Sequence, residues 1–455
     1  MTKNLTQGHP LKLMITFSIP ILIGNLIQQF YHLVDSIFVS QFISLSAFSG
    51  VNVASFLIFL VFGFVFGMCT GCSIILAQRF GAKSKPGIKL SIVNAIYVYI
   101  FITISLTIIS LVTLDPVLNL MGTPAEIKLH AKTYAAINFI GIFAVAAYNL
   151  FSQILRAIGD NLAALFFLII SAILNIILDF LAIAVLNLGV SGTAIATITS
   201  QIISAAACII YTFTKYKFTR PEKIYWNFKK TFFFKQLQIG FPIALECSVC
   251  AVGLLILQKA VNKLGPNIIA GFAIAMRIED LIITVFFAIA SAAAVFTAQN
   301  LGAKQFKRIQ YGTRSAMLLC FLTCIIFSII FLLWWDTFVK FFINRTEQLS
   351  ENVMYVKLAA RTYINIVLIH YIILGALIII RNIVQSLGKT LIPMCGGFAE
   401  LIARTFGAII LTKLFHYNGI CFATILAWWS AFILVICAYF YYTHKFKKKY
   451  YQKIK

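Results

Sequence analysis

Ala77-Gln78-Arg79-Phe80-Gly81-Ala82-Lys83 returns in the second half of the chain as Ala298-Gln299-Asn300-Leu301-Gly302-Ala303-Lys304, with five of seven residues unchanged at a separation of 221. Each copy closes a long apolar run. Two further pairs keep the same order and nearly the same spacing. Pro20 and Pro242 lie 222 apart, and Ala131-Lys132-Thr133-Tyr134 recurs 229 residues on as Ala360-Arg361-Thr362-Tyr363. One short match is expected by chance. Three in register mark a duplicated unit.

Composition says where that unit resides. The chain has 455 residues, 61% hydrophobic and 11% charged. A soluble globular protein carries about 25% charged residues, so too few charges are present to cover a water-facing surface. That excludes a soluble enzyme, a nucleic-acid-binding domain and a disordered chain. The net charge of +24, which in a soluble protein would point to nucleic acid, is read here as loop charge on a polytopic membrane protein. Apolar runs of the length that crosses a bilayer fall at 13–39, 47–77, 91–112, 130–153, 162–186, 190–212, 236–260, 268–298, 313–335, 354–381, 391–414 and 418–442. The expected fold is all-α: twelve transmembrane helices in two six-helix lobes related by the repeat. The lobes are placed at 1–212 and 236–442, joined by a basic linker at 213–235 and followed by a basic tail at 443–455. An even number of spans per repeat gives both halves the same orientation, which calls for a symmetry axis along the membrane normal. Lys and Arg number 26 on one set of alternating loops and 9 on the other. The positive-inside rule then puts both termini in the cytoplasm of a multi-pass plasma-membrane protein. The first apolar run is too long for a cleaved signal and contains Asp35.

The ten cysteines fall in apolar segments. Cys69-x-x-Cys72 and Cys247-x-x-Cys250 have redox or zinc spacing but no histidine or second pair nearby, so packing is the reading. Gly63, Gly67 and Gly71 form a GxxxGxxxG ridge suited to close helix packing. Pro20 and Pro242 each remove a backbone donor inside a helix, as a static kink or as a hinge. No nucleophile elbow, metal-ligand cluster or phosphate loop is visible, so neither an enzyme nor a cofactor is expected.

Carboxylates inside spans are costly and mark function by default. Asp179, with Asn175 one turn earlier, lies in an otherwise apolar run; the pair can hold Na⁺, and the carboxylate alone can hold H⁺. The bland reading is a polar clasp between helices. Gln28, Tyr31, His32 and Asp35 share one face of the first helix, as the lining of a cavity or as a solvated helix end. Glu246 has no partner close in sequence. Glu400 and Arg404 are four apart and can pair. Arg277, Glu279 and Asp280 read as a local charge cluster at a helix end.

Five segments together resemble the multidrug and toxic compound extrusion (MATE) transporters. They are Pro20 with Tyr31-His32-Leu33-Val34-Asp35-Ser36-Ile37-Phe38-Val39, Leu155-Arg156-Ala157-Ile158-Gly159-Asp160, Asn175-x-x-x-Asp179, Gly189-Val190-Ser191-Gly192-Thr193-Ala194-Ile195-Ala196-Thr197, and Ala275-Met276-Arg277-Ile278-Glu279. The resemblance implies export driven by H⁺ or Na⁺. It implies an ion site in the first lobe at Asp35, Asn175, Asp179 and Thr197, with no other metal, and a substrate cavity lined by Gln28, Tyr31 and Asn149. Glu246 matches the acid of the family branch whose ion site is in the second lobe, and Glu400 is the other candidate there. The expected cargo is small, amphipathic and cationic, because six acids but only Arg277 and Arg404 were placed within spans. A lipid-linked saccharide flippase of the same superfamily is the alternative, and a monomer in the lipid bilayer the expected state.

Overall fold

The computed structural model describes residues 4–341 and 351–451. Fifteen α-helices account for nearly all of these, and no strand occurs among the described residues. They are α1 (Pro10–Phe42), α2 (Leu45–Gly81), α3 (Lys85–Leu120), α4 (Ala125–Ile140), α5 (Ile142–Ala157), α6 (Asn161–Phe180) and α7 (Gly189–Lys215), then α8 (Lys230–Val261), α9 (Pro266–Gly302), α10 (Phe306–Phe341), α11 (Glu351–Val367), α12 (Tyr371–Ser386), α13 (Leu391–Phe406), α14 (Thr412–Phe415) and α15 (Tyr417–Tyr451). Eleven stretches of helix are long and apolar enough to cross a membrane. The count is twelve when α4 and α5, bent by 49° at Gly141, are taken as one span. The all-α, twelve-span reading therefore holds.

Two differences from the sequence reading stand out. First, α2 and α9 run to 37 residues, or about 55 Å at 1.5 Å per residue. They outreach a hydrocarbon core of about 30 Å, because Arg79 and Gln299 continue the helix after the apolar run has ended. Second, the tenth span does not end at 381: the helical turns of α12 run on to Ser386.

By contact, the described chain divides into two compact units. One holds Ile19–Ser248 with the segment Ala298–Lys304 and residues near the N-terminus. The other holds Gly8–Ser18, Val249–Thr297 and the described residues from Gln305 on. In the first unit a core of residues such as Leu76, Leu118, Phe139, Leu150 and Leu155 is assembled from α2, α3, α4 and α5. The glycine ridge meets α8 there: a Cβ on Gly67 would come within 2.5 Å of the Ala244 Cα, and one on Gly71 within 2.3 Å of the Gly240 Cα. In the second unit α12 and α13 both pack on α15.

The two copies of the duplicated motif meet inside the first unit, and they meet reciprocally. A Cβ on Gly81 would strike the Gln299 carbonyl oxygen at 1.9 Å, and a Cβ on Gly302 would strike the Gln78 carbonyl oxygen at the same distance. Each residue thus contacts its counterpart's partner, which is the signature of a two-fold contact. The helix stops match too: Lys83 and Lys304 take left-handed backbone angles, with φ of 54° and 59°. The Gln299 side chain fills the buried space around this contact. Its amide donates to the Ala157 carbonyl (2.9 Å) and its oxygen accepts the Leu5 N–H (3.0 Å).

Candidate functional site

The carboxyl-bearing end of α6 is fixed from both directions. Asp160 caps its start, accepting the Ala163 N–H at 3.3 Å, and also accepts hydrogen bonds from Tyr211 (3.1 Å) and Tyr216. Burial, together with that hydrogen bond, raises the Tyr216 pKa, so the phenol stays a donor. Asn175 and Asp179 follow on one face, four residues apart, and both are buried. Immediately after Asp179 the helix widens into a π-helical turn, Leu181–Val185, a feature that often accompanies functional sites. Asn187 and Gly189, with φ of 52° and 57°, then reverse the chain into α7. That hairpin places the Thr197 hydroxyl beside Asn175, whose amide donates to it at 3.4 Å.

From α1, half-buried Asp35 faces the same cluster. The Asp35 and Asp179 carboxyls lie within electrostatic reach of each other. Neither oxygen of Asp179 has a donor beside it; the side chain that reaches it is the other carboxyl. The Asp35 Oδ1 and the Asn175 Oδ1 are buried without one as well. Four buried oxygens therefore converge from α1 and α6 with unused lone pairs. Among the described residues no basic side chain acts on either carboxyl.

Tyr31 and Tyr134 surround the pair, each within electrostatic reach of both aspartates. Tyr31 is buried and interacts with Gln28, which is itself exposed. Tyr134 was not anticipated as part of the cluster. The signal for it was present: it is the tyrosine of the duplicated Ala131–Tyr134 segment. Asn149 is half-buried, and its amide donates to the Val145 carbonyl of its own helix at 2.8 Å. The His32 side chain lies outside the described residues. Pro20 and Pro242 are both buried inside their helices, α1 and α8.

The other buried acids have a different environment. Glu400 on α13 is gripped by two arginines, Arg404 at 2.8 Å and Arg381 at 3.0 Å. Glu279 does not sit in a local charge cluster with Arg277. It turns inward from α9 and accepts hydroxyl hydrogen bonds from Tyr363 (3.0 Å) and Tyr371 (3.2 Å), with Arg404 also within electrostatic reach, while Arg277 is exposed and acts on Asp280. Tyr363 is the partner of Tyr134 in the repeat, so both copies bring a tyrosine to a buried carboxyl. Glu246 is buried on α8. No group of three or more metal-ligating side chains occurs among the described residues, and none of the cysteines is disulfide-bonded.

The MatE family profile matches this chain twice, over residues 20–181 and 242–410. The chain belongs to the MATE family. The two matches begin at the two helix prolines, as a duplication of one unit requires. YpnP of Bacillus subtilis, a probable multidrug resistance protein, is 30% identical over 310 residues, covering 67% of this chain and 68% of that protein. YoeA of the same organism, also a probable multidrug resistance protein, is 25% identical over 463 residues, covering 99% and 97%. Among solved structures, an outward-facing multidrug resistance MATE transporter of the MOP superfamily superposes with a TM-score of 0.88 at 22% identity, over 98% of both chains. That likeness carries the fold. The protein is a multi-span membrane transporter of this family.

Proposed function

We propose that this MATE protein is a secondary antiporter of the cell membrane that exports small, amphipathic, cationic organic compounds in exchange for H⁺ or Na⁺. The coupling site is Asp35, Asn175, Asp179 and Thr197. The observation that supports this most is the set of four buried acceptor oxygens without partners. Burying an unpaired carboxylate is costly, and a second carboxylate beside it adds repulsion. An inorganic cation taken up between α1 and α6 relieves both. While the site is empty of ions, its negative charge attracts cationic cargo. When H⁺ or Na⁺ enters, that attraction is lost and cargo is released, so the two are exchanged rather than carried together. Tyr31, Gln28 and Asn149 belong to the cargo path, and Pro20 and Pro242 act as hinges.

The protein works as a monomer of two lobes, 1–212 and 236–442, with both termini cytoplasmic. Single cysteines at Asn227 and Lys445, in a background without native thiols, will resist impermeant reagents in intact cells; ready labelling overturns the orientation. Coupling is tested in proteoliposomes at matched protein amounts, with an imposed pH gradient or an imposed Na⁺ gradient. Asp35→Asn and Asp179→Asn each abolish gradient-driven export. Export at the wild-type rate in both variants, with Glu246→Gln inactive, would move the coupling site to the second half.

A further inference from the structure

We infer that the first unit carries a binding site for one anionic glycerophospholipid, in the groove between α3 and α8 beneath the linker. The groove has a volume of about 540 Å³ and is lined by Phe101, Ile102, Phe234, Leu237, Gln238 and Phe241. Four of these, at 234, 237, 238 and 241, fall on one stripe of α8. Lys230 begins that stripe one turn earlier, and its Nζ stands 6.0 Å from the centre of the Phe234 ring. An apolar channel headed by an ammonium group is the shape of a lipid: an acyl chain along the phenyl rings and a phosphate at the lysine.

Three independent observations make the head of the groove anionophilic and interfacial. Lys229 and Lys230, at the start of α8, and Lys235 about one turn further on are exposed, and the α8 N-terminus adds backbone N–H groups that favour an anion. The acid nearest in the linker, Glu222, is already neutralised by Lys89, so it does not offset them. The linker also presents Ile224, Trp226 and Phe228 as exposed side chains, which suits the headgroup layer rather than bulk water. These side chains are held in place. Tyr97 donates to the Trp226 carbonyl and packs edge-on against Trp226 and Phe228, and Phe228 in turn meets Phe233 with ring centres 5.3 Å apart. The linker joins two membrane spans through only 14 residues between Lys215 and Lys230, and Lys89 and Tyr97 of α3 tie it down at Glu222 and Trp226.

The occupant is a membrane lipid rather than a free anion, because the groove continues the charge into an apolar channel. The test uses the full chain, purified and delipidated in neutral detergent and followed by native mass spectrometry. Phosphatidylglycerol, phosphatidylcholine with the same acyl chains, and inorganic phosphate serve as probes. One phosphatidylglycerol is retained in preference to phosphatidylcholine, and phosphate does not displace it. The triple variant Lys229→Gln, Lys230→Gln, Lys235→Gln loses on the order of a hundredfold in affinity for phosphatidylglycerol and keeps its weaker affinity for phosphatidylcholine. Gln238→Trp fills the groove and lowers the affinity for both lipids. Equal binding of the two lipids by the wild type, an undiminished preference in the triple variant, or displacement by phosphate would each overturn the assignment.

Discussion

Asp179 and Glu400 invite comparison. Each is buried on the fifth span of its half, they lie 221 residues apart, and each span continues into a π-helical turn, at Leu181–Val185 and Gly407–Leu411. Their surroundings are opposite. Glu400 is held by Arg381 and Arg404 and has its charge cancelled. Asp179 has another carboxyl, Asp35, and an amide oxygen for company. A buried carboxylate between two guanidinium groups is a satisfied structural element, and removing one partner is what harms it. A buried carboxylate with no cation is an unfinished one. Duplication supplied the same scaffold twice; one copy filled the position with internal counter-charge, and the other left it without any.

The largest effect expected from this contrast is on transport. Asp179→Asn reduces gradient-driven export by roughly a hundredfold or more, in line with the cost of a charge at mid-membrane. The same substitution does not lower the melting temperature in detergent, since it removes repulsion rather than a partner. A large drop in melting temperature would show that Asp179 is part of the structural framework, like Glu400. Next comes Arg404→Met, which leaves Glu400 to Arg381 alone and takes a positive charge from beside Glu279. The loss of stability should fall short of the about 3–5 kcal/mol of a fully stranded charge and reach it when Arg381→Met is added; a double variant no less stable than Arg404→Met would show that Arg381 does not hold Glu400. Tyr363→Phe removes one hydrogen bond to Glu279 and should cost about 1.5–3 kcal/mol if the carboxyl is charged, measurable as a shift in melting. Gly81→Ala and Gly302→Ala each overpack the reciprocal contact by about 1–3 kcal/mol. Because they press on one joint, the double variant should fall short of the sum; full additivity would show two separate contacts. Smallest is Pro20→Ala, which leaves protein in the membrane and slows export by about threefold, under 1 kcal/mol of barrier. Unchanged transport kinetics at equal expression would make the proline a static feature.

Much of this architecture is a consequence of the sequence alone. Low charge and repeated apolar runs leave only spanning helices, since lipid offers no partner for an open backbone. The recurrence of Ala77–Lys83 at Ala298–Lys304 required two copies of one unit. The i, i+4 spacing of Asn175 with Asp179, and of Glu400 with Arg404, was legible because a helix fixes its own neighbours. Contacts between helices carry no such periodicity, and there the tertiary structure decided. It brought Asp35 from α1 to Asp179 on α6, and Tyr134 to both. It turned Glu279 away from Arg277 toward Tyr363 and Tyr371, and delivered Arg381 to Glu400 from another helix. It also set the Gly81 and Gly302 motifs against each other. Local spacing specifies which face a residue occupies; only packing specifies what that face meets, and whether a buried charge ends up answered or open is settled at that second step.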